Sequence, residues 1–236
     1  PASPALARRT SVLGSSPVIY NVQYTAFVMG FGRHQEVMWY NLDMDNNSQL
    51  TFSKHHNHVV VGILDIVHST ESTFSLSGEA IDEFYSIFLS SVSTVIHENG
   101  GKVLKNIGDG VLWYFPKVTD KEKDSFEQVA ICGRALLRSK DEINKKLSEH
   151  GLPPVSFRIS MSFGLVSAMC DERGEVVDLF GATINTCAKM NKYAPENGFV
   201  VGEVLNEKLN EIGIVTEKIS DFQVGANLLF SVFEVK

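Results

Sequence analysis

Residues 102–115 read KVLKNIGDGVLWYF, two apolar runs joined by an Ile-Gly-Asp-Gly turn. Apolar, partly β-branched and aromatic runs on either side of a glycine-rich turn predict a β-hairpin with Asp109 at its tip. Gly108 and Gly110 give that tip backbone freedom and leave room for a ligand to come close. Taken alone, Asp109 is better read as a plain turn residue.

Upstream, HVVVGILDI (58–66) is a continuous apolar run ending in Asp65 and Ile66, the pattern of a strand buried on both faces. SGEAIDEFYSIFLSSVSTVIHENGG follows, with Ile81, Phe84, Tyr85, Phe88, Val92, Val95 and Ile96 at helical spacing. Ser77 or Gly78 starts this helix and Asn99-Gly100-Gly101 stops it. Downstream of the hairpin a second long helix is expected from about Lys121 to His150, ending before Gly151 and Pro153-Pro154. VSFRISMSFGLVSAM then reads as a strand, GATINTCAKMNKYA as a short helix and FVVGE as a strand. The remainder alternates weakly and is expected to close the sheet.

Strand, helix, hairpin, helix, strand is the order of a ferredoxin-like (palm-type) α+β fold, with helices packed on an antiparallel sheet. It covers residues 54–236. Residues 1–53 are read as an N-terminal extension, flexible or left over from expression, since PASPALARRTSVLGSSP is rich in Ala, Ser, Pro and Arg. PVIYNVQYTAFVMGF within it has strand-like alternation that would suit a short hairpin. RRTS is a basic-Ser pattern that arises often by chance, and the histidines at 55, 56 and 58 lack metal-ligand spacing.

With 236 residues, 21% of them charged, the chain is long enough for one sizeable core plus an extension. A net charge of −7 argues against a general nucleic-acid binder, though not against a small anionic ligand in a local pocket. Cys132, Cys170 and Cys187 are far apart and odd in number, which fits a reducing interior. No stretch reaches the roughly 20 apolar residues of a membrane span. The expectation is therefore a cytoplasmic protein with no membrane span.

In the ferredoxin-like order the first strand lies beside the hairpin, which brings Asp65 and Asp109 to one edge of the sheet. Two carboxylates at short range repel unless one takes up a proton or a cation sits between them. Hard oxygen ligands favour Mg²⁺ or Mn²⁺. The polar segment IVHSTEST after Asp65 leads towards a helix, and its backbone N–H groups suit phosphate oxygens. The blander reading makes Asp65 a cap and Asp109 a turn residue; for the pair in this topology the metal reading is preferred.

LDIVHST, KNIGDG and DLFGATINTCAKM, in this order, resemble the catalytic domain of class III nucleotidyl cyclases, nearest to compact archaeal and bacterial members. Those enzymes turn a nucleoside triphosphate into its 3′,5′-cyclic monophosphate and pyrophosphate. The resemblance spans about His58 to Lys236. It implies that Asp65, Asp109 and the backbone carbonyl of Ile66 hold two divalent ions. It assigns Lys105 and Asp178 to the adenine ring, where guanylate cyclases usually carry Glu at the lysine position, and Asn185 to the ribose. His68, Ser69 and Thr70 fall in the phosphate turn, His68 standing where relatives commonly have Gly. Lys189 stands where the family usually has an Arg that stabilises charge on the α-phosphate, and Lys lacks the two-pronged donor geometry. Gly225 falls about where relatives carry a phosphate-binding Lys; Lys218 and Arg158 are candidates to compensate. In the family the metal carboxylates and the base-reading residues come from different subunits, which implies a homodimer with sites at its interface.

The expected activity is that of an adenylate cyclase acting on ATP with Mg²⁺ or Mn²⁺. Three other readings stand beside it: a weak or inactive nucleotide-binding regulatory module of the same fold, a cyclase acting on GTP, and a palm-type polymerase or diguanylate cyclase. The last is disfavoured by the absence of a GGDEF-like turn and by DLFGATIN.

Overall fold

The computed structural model describes residues 51–52, 57–119 and 125–236. The hairpin reading over 17–31 and the histidines at 55 and 56 lie outside the described residues, as does the domain assignment of 1–53 except for 51–52. The described chain runs β1 (Thr51–Phe52), β2 (Asn57–Ile66), α1 (Ser69–Thr73), α2 (Gly78–Glu98), β3 (Lys102–Ile107), β4 (Gly110–Phe115) and α3 (Ser125–Glu149). It continues with β5 (Phe157–Cys170), β6 (Val176–Phe180), α4 (Ala182–Asn191), β7 (Phe199–Gly202), α5 (Glu203–Glu211), β8 (Thr216–Val224) and β9 (Leu228–Val235).

The sheet order is β3-β4-β2-β5-β7-β9-β8, with β1 and β6 pairing with the outer part of β5. The β3-β4-β2-β5 portion is antiparallel throughout and has the ferredoxin-like order, as expected for the α+β fold. β2 pairs with β4 on one side and β5 on the other, so its residues need apolar side chains on both faces. Val60, Leu64 and Ile66 enter a core that also holds Phe84 and Phe88 of α2, Leu136 of α3 and Leu205 of α5. Val59, Val61 and Ile63 point the other way, into a core with Cys187 and Met190 of α4. Period-two alternation thus splits one strand between two layers.

Local signals explain the helix ends. Ser77 Oγ accepts a hydrogen bond from the Ala80 N–H at 3.3 Å, capping α2, and Gly100 turns the chain with φ 77° just beyond it. Full burial of Phe84 and Phe88 contributes about 2–3 kcal/mol each.

Two elements depart from the sequence reading. β6 is a five-residue strand whose exposed Val177 and Phe180 hide its alternation. EVLNEKLNE falls in the remainder expected to alternate and close the sheet, and instead forms α5 directly after β7. Leu205 and Leu209, four apart, are buried while Glu203, Val204 and Glu207 face solvent, so the short repeat is helical.

Cys132 and Cys187 are fully buried, and burial pushes both thiols up to about 12. Cys170 is only partly covered. A thiol reagent at neutral pH should therefore modify one cysteine in the native protein and three after denaturation. Rapid native modification of two or more would contradict this packing.

Candidate functional site

Asp65 stands one residue from the end of β2 and Asp109 at the β3–β4 tip. The two carboxyls are near enough for the charge of Asp109 to act on Asp65. Burial first, and then the Asp109 charge, push the Asp65 carboxyl up to about 6, although Arg158 pulls it down. Two acidic groups are thus held together in partial shelter from water, at a cost that a proton or a cation relieves.

Gly110 makes this approach possible. A Cβ there would stand 2.4 Å from the Leu64 carbonyl oxygen and 3.5 Å from both Cα and Oδ1 of Asp65. The strand next to the acidic rung approaches too closely for any side chain at Gly110. The room that glycine provides here is taken by the backbone of β2, so the expectation that it serves a ligand is corrected. Gly108, with φ +64° and open space around it, is a turn glycine.

Arg158 is the cross-strand partner of Asp65 on β5. Its Nε is buried and has no hydrogen-bond partner among the described residues. A guanidinium with an unused buried donor, beside two carboxylates, suits an anion that reaches the same rim. Lys218, the other candidate for that task, lies on β8 at the far edge of the sheet and pairs with Asp221 at 2.8 Å. It belongs to a different region.

The turn after β2 carries His68, Ser69 and Thr70. His68 adopts the left-handed conformation (φ 57°, ψ 32°), uncommon for a residue other than glycine. It precedes the short helix α1, whose first turn holds Ser69 and Thr70, and its Nδ1 lies 3.8 Å from Glu71. The first N–H groups of a helix lack intrahelical acceptors.

A second pairing lies between β3 and β6. Lys105 Nζ donates to Asp178 Oδ2 at 2.6 Å, and three residues before each, Lys102 reaches Glu175 at 2.5 Å. Asp178 is largely covered, and its Oδ1 also accepts from the Leu179 N–H at 2.8 Å. A donor-only ammonium and an acceptor-only carboxylate are therefore adjacent and preset.

Asn185 and Lys189 occupy one exposed face of α4, four residues apart. Among the described residues no hydrogen bond or ion pair joins them, or the Lys105–Asp178 pair, to Asp65 or Asp109. The candidate residues thus sit at the rim and the turn that follows β2, in the Lys105–Asp178 pair between β3 and β6, and on the outer face of α4.

The donor set at the rim fits a hard divalent ion. Two carboxylates and the nearby Ile66 carbonyl supply oxygen only, and among the described residues no third His, Cys, Asp or Glu joins them. Mg²⁺ is commonly held by one or two carboxylates plus substrate phosphates and water, which is what such an incomplete set leaves open.

A family model described as the adenylate and guanylate cyclase catalytic domain matches residues 51–233. A Streptomyces coelicolor adenylate cyclase is 23% identical over 151 residues, 64% of this chain and 34% of that protein. The chain thus spans about a third of the length of this curated relative. Among solved structures, the guanylyl cyclase Cya2 superposes with a TM-score of 0.67 at 19% identity, covering 77% of this chain and 92% of that one. The adenylyl cyclase CyaB from P. aeruginosa does so with a TM-score of 0.66 at 16% identity, covering 80% and 95%. Among the described residues no helix is long and apolar enough to cross a membrane.

Proposed function

Because the chain belongs to the family of adenylate and guanylate cyclase catalytic domains, we propose that it converts ATP to 3′,5′-cyclic AMP and pyrophosphate. The observation that carries this reading is that the β3–β4 tip holding Asp109 packs beside Asp65 at one rim, a Cβ on Gly110 standing 3.5 Å from Asp65 Oδ1. Asp65, Asp109 and the Ile66 carbonyl would hold Mg²⁺ or Mn²⁺ ions that favour ionisation of the ribose 3′-hydroxyl and neutralise charge on the triphosphate.

The chain's own groups account for the remaining tasks. Arg158 offers its guanidinium to the triphosphate at the same rim, and the N–H groups of the 68–70 turn receive phosphate oxygens. Lys105 donates to adenine N1 while Asp178 accepts from the exocyclic amine. In that orientation guanine presents a carbonyl to Asp178 and an N–H to Lys105, leaving both unpaired, which favours ATP. Asn185 orients the ribose for in-line attack on the α-phosphorus. Lys189 opposes the charge that builds on the α-phosphate, with a single ammonium where a guanidinium would grip two oxygens.

The exposure of Asn185 and Lys189 on the outer face of α4 supports a two-fold dimer in which the acidic rim of one copy meets the Lys105–Asp178 pair and the outer face of α4 of the other. The test is a product assay on purified protein with equal ATP and GTP and Mn²⁺, read by mass spectrometry. Cyclic AMP should predominate. Dominant cyclic GMP would overturn the base assignment, and no cyclic product would overturn the enzymatic reading.

A further inference from the structure

Helix α4 presents two opposed faces. Asn185 and Lys189 are exposed on one, whereas Cys187 and Asn191, also four apart, are buried on the other. At 100° per residue the two pairs lie about 200° apart around the axis. Whatever fixes the inner pair therefore sets the position of the outer pair.

The inner pair is fixed by hydrogen bonds rather than by apolar contact alone. Asn191 Nδ2 donates to the Ile63 carbonyl at 3.2 Å, to the Arg158 carbonyl at 3.4 Å and to Ser160 Oγ at 3.2 Å. Ser160 Oγ donates in turn to the Cys187 carbonyl at 3.0 Å, and Cys187 Sγ lies 3.3 Å from the Ser160 carbonyl. Asn191, Ser160 and Cys187 are all buried. Ile63 and Ser160 form one rung of the β2–β5 ladder, and Asp65 and Arg158 form the next rung on the same face. The carboxamide thus anchors α4 one rung from the acidic rim. An apolar residue could fill this space, but it would remove the donor that ties the end of α4 to the Ile63 and Arg158 carbonyls, leaving the Ser160–Cys187 bond to orient the helix.

We propose that Asn191 is a positioning residue: by locking α4 to the Ile63–Ser160 rung it sets where Asn185 and Lys189 are presented to the reaction. This rests on the cyclase reading, in which the outer face of α4 serves the rim of a second copy. Asn191 then acts on the site its own chain completes in trans, and not on the site its own Asp65 belongs to. A small displacement of groups needed in the transition state can cost on the order of 100-fold in rate.

The experiment uses mixed dimers of the full chain, isolated through two affinity tags. An Asp65→Asn chain retains a working α4, and an Asn185→Ala chain retains a working rim, so their mixture holds one intact site. Cyclic AMP production by this parental mixture tests the cyclase and shared-site reading by itself. Asn191→Leu is then added to one chain at a time. In the Asp65→Asn chain it should lower kcat at least about tenfold with the KM for ATP within about twofold. In the Asn185→Ala chain it should leave kcat within about twofold. An equal loss in both placements, or no loss in either, overturns the proposal while leaving the shared site standing. If Asn191→Leu fails to fold, Asn191→Ala is read in the same way, and a purely structural role would lower yield and melting temperature without dependence on placement.

Discussion

Asp65→Asn will stop nucleotide cyclisation and, at pH 7.5, raise the melting temperature of the metal-free protein. The first effect follows from the loss of one of the two acidic side chains, Asp65 and Asp109, that the rim presents among the described residues. Charge stabilisation at such a site is worth several kcal/mol, so the rate should fall by about 10³-fold or more. The second effect follows from the carboxyl being pushed up to about 6 by burial and then by Asp109. A carboxyl raised in the folded state binds its proton more tightly there than in the unfolded chain. That extra stability is fully present below the ordinary value near 4 and is lost as pH rises through about 6. Above that pH two charged groups face each other. Asn keeps the shape, carries no charge and can donate to Asp109.

Discounted for solvent screening, the gain is about 1 kcal/mol, or roughly 2–4 °C in a domain of this size, and it should vanish by pH 4. Added Mn²⁺ should raise the melting temperature of the parent and have little effect on the variant. A variant that loses stability at pH 7.5 would show that the two carboxylates do not oppose each other. Retained turnover would remove Asp65 from the chemistry altogether.

Gly110→Ala should be the most damaging single methyl group that can be added near the site. Its Cβ would meet the Leu64 carbonyl oxygen at 2.4 Å, and a backbone oxygen cannot rotate aside as a side chain can. β4 must then part from β2 beside the Leu64–Val111 pair, next to Asp65. The expected cost is about 3 kcal/mol, at the upper end of overpacking effects, and turnover should fall with the altered carboxylate geometry. Gly108→Ala is the control: its left-handed backbone costs about 1 kcal/mol and its methyl group meets nothing within 4 Å. Urea unfolding and cyclase assays on both variants decide the matter. If Gly110→Ala is no worse than Gly108→Ala in either measurement, the close approach of β2 and β4 is not what requires glycine.

Much of the scaffold could be read without coordinates because it rests on local periodicity. The apolar run of β2, the helical spacing in α2 and the glycine-hinged β3–β4 hairpin are each consistent with one element only. Their order selects the ferredoxin-like sheet. The reading failed where the periodic signal was short. β6 offers five residues with two apolar side chains facing solvent, and α5 offers barely more than two turns. In such windows a strand, a helix and a loop bury similar amounts of surface, and tertiary contacts choose among them.

The candidate site divides along the same line. Asp65 and Asp109 could be expected to meet because the hairpin must lie beside the first strand. No local pattern could say that Arg158 is the residue opposite Asp65, that Lys105 pairs with Asp178, or that Asn191 reaches the carbonyls of Ile63 and Arg158. Each of these depends on the register between segments distant in the chain. A one-residue slip in an antiparallel ladder would turn every such side chain to the opposite face. Sequence determined the long periodic elements and their order, because backbone preference and apolar period act over a few residues. Only the tertiary structure decided which charged and polar groups share a rung, because register is settled by the packing of two whole layers against β2.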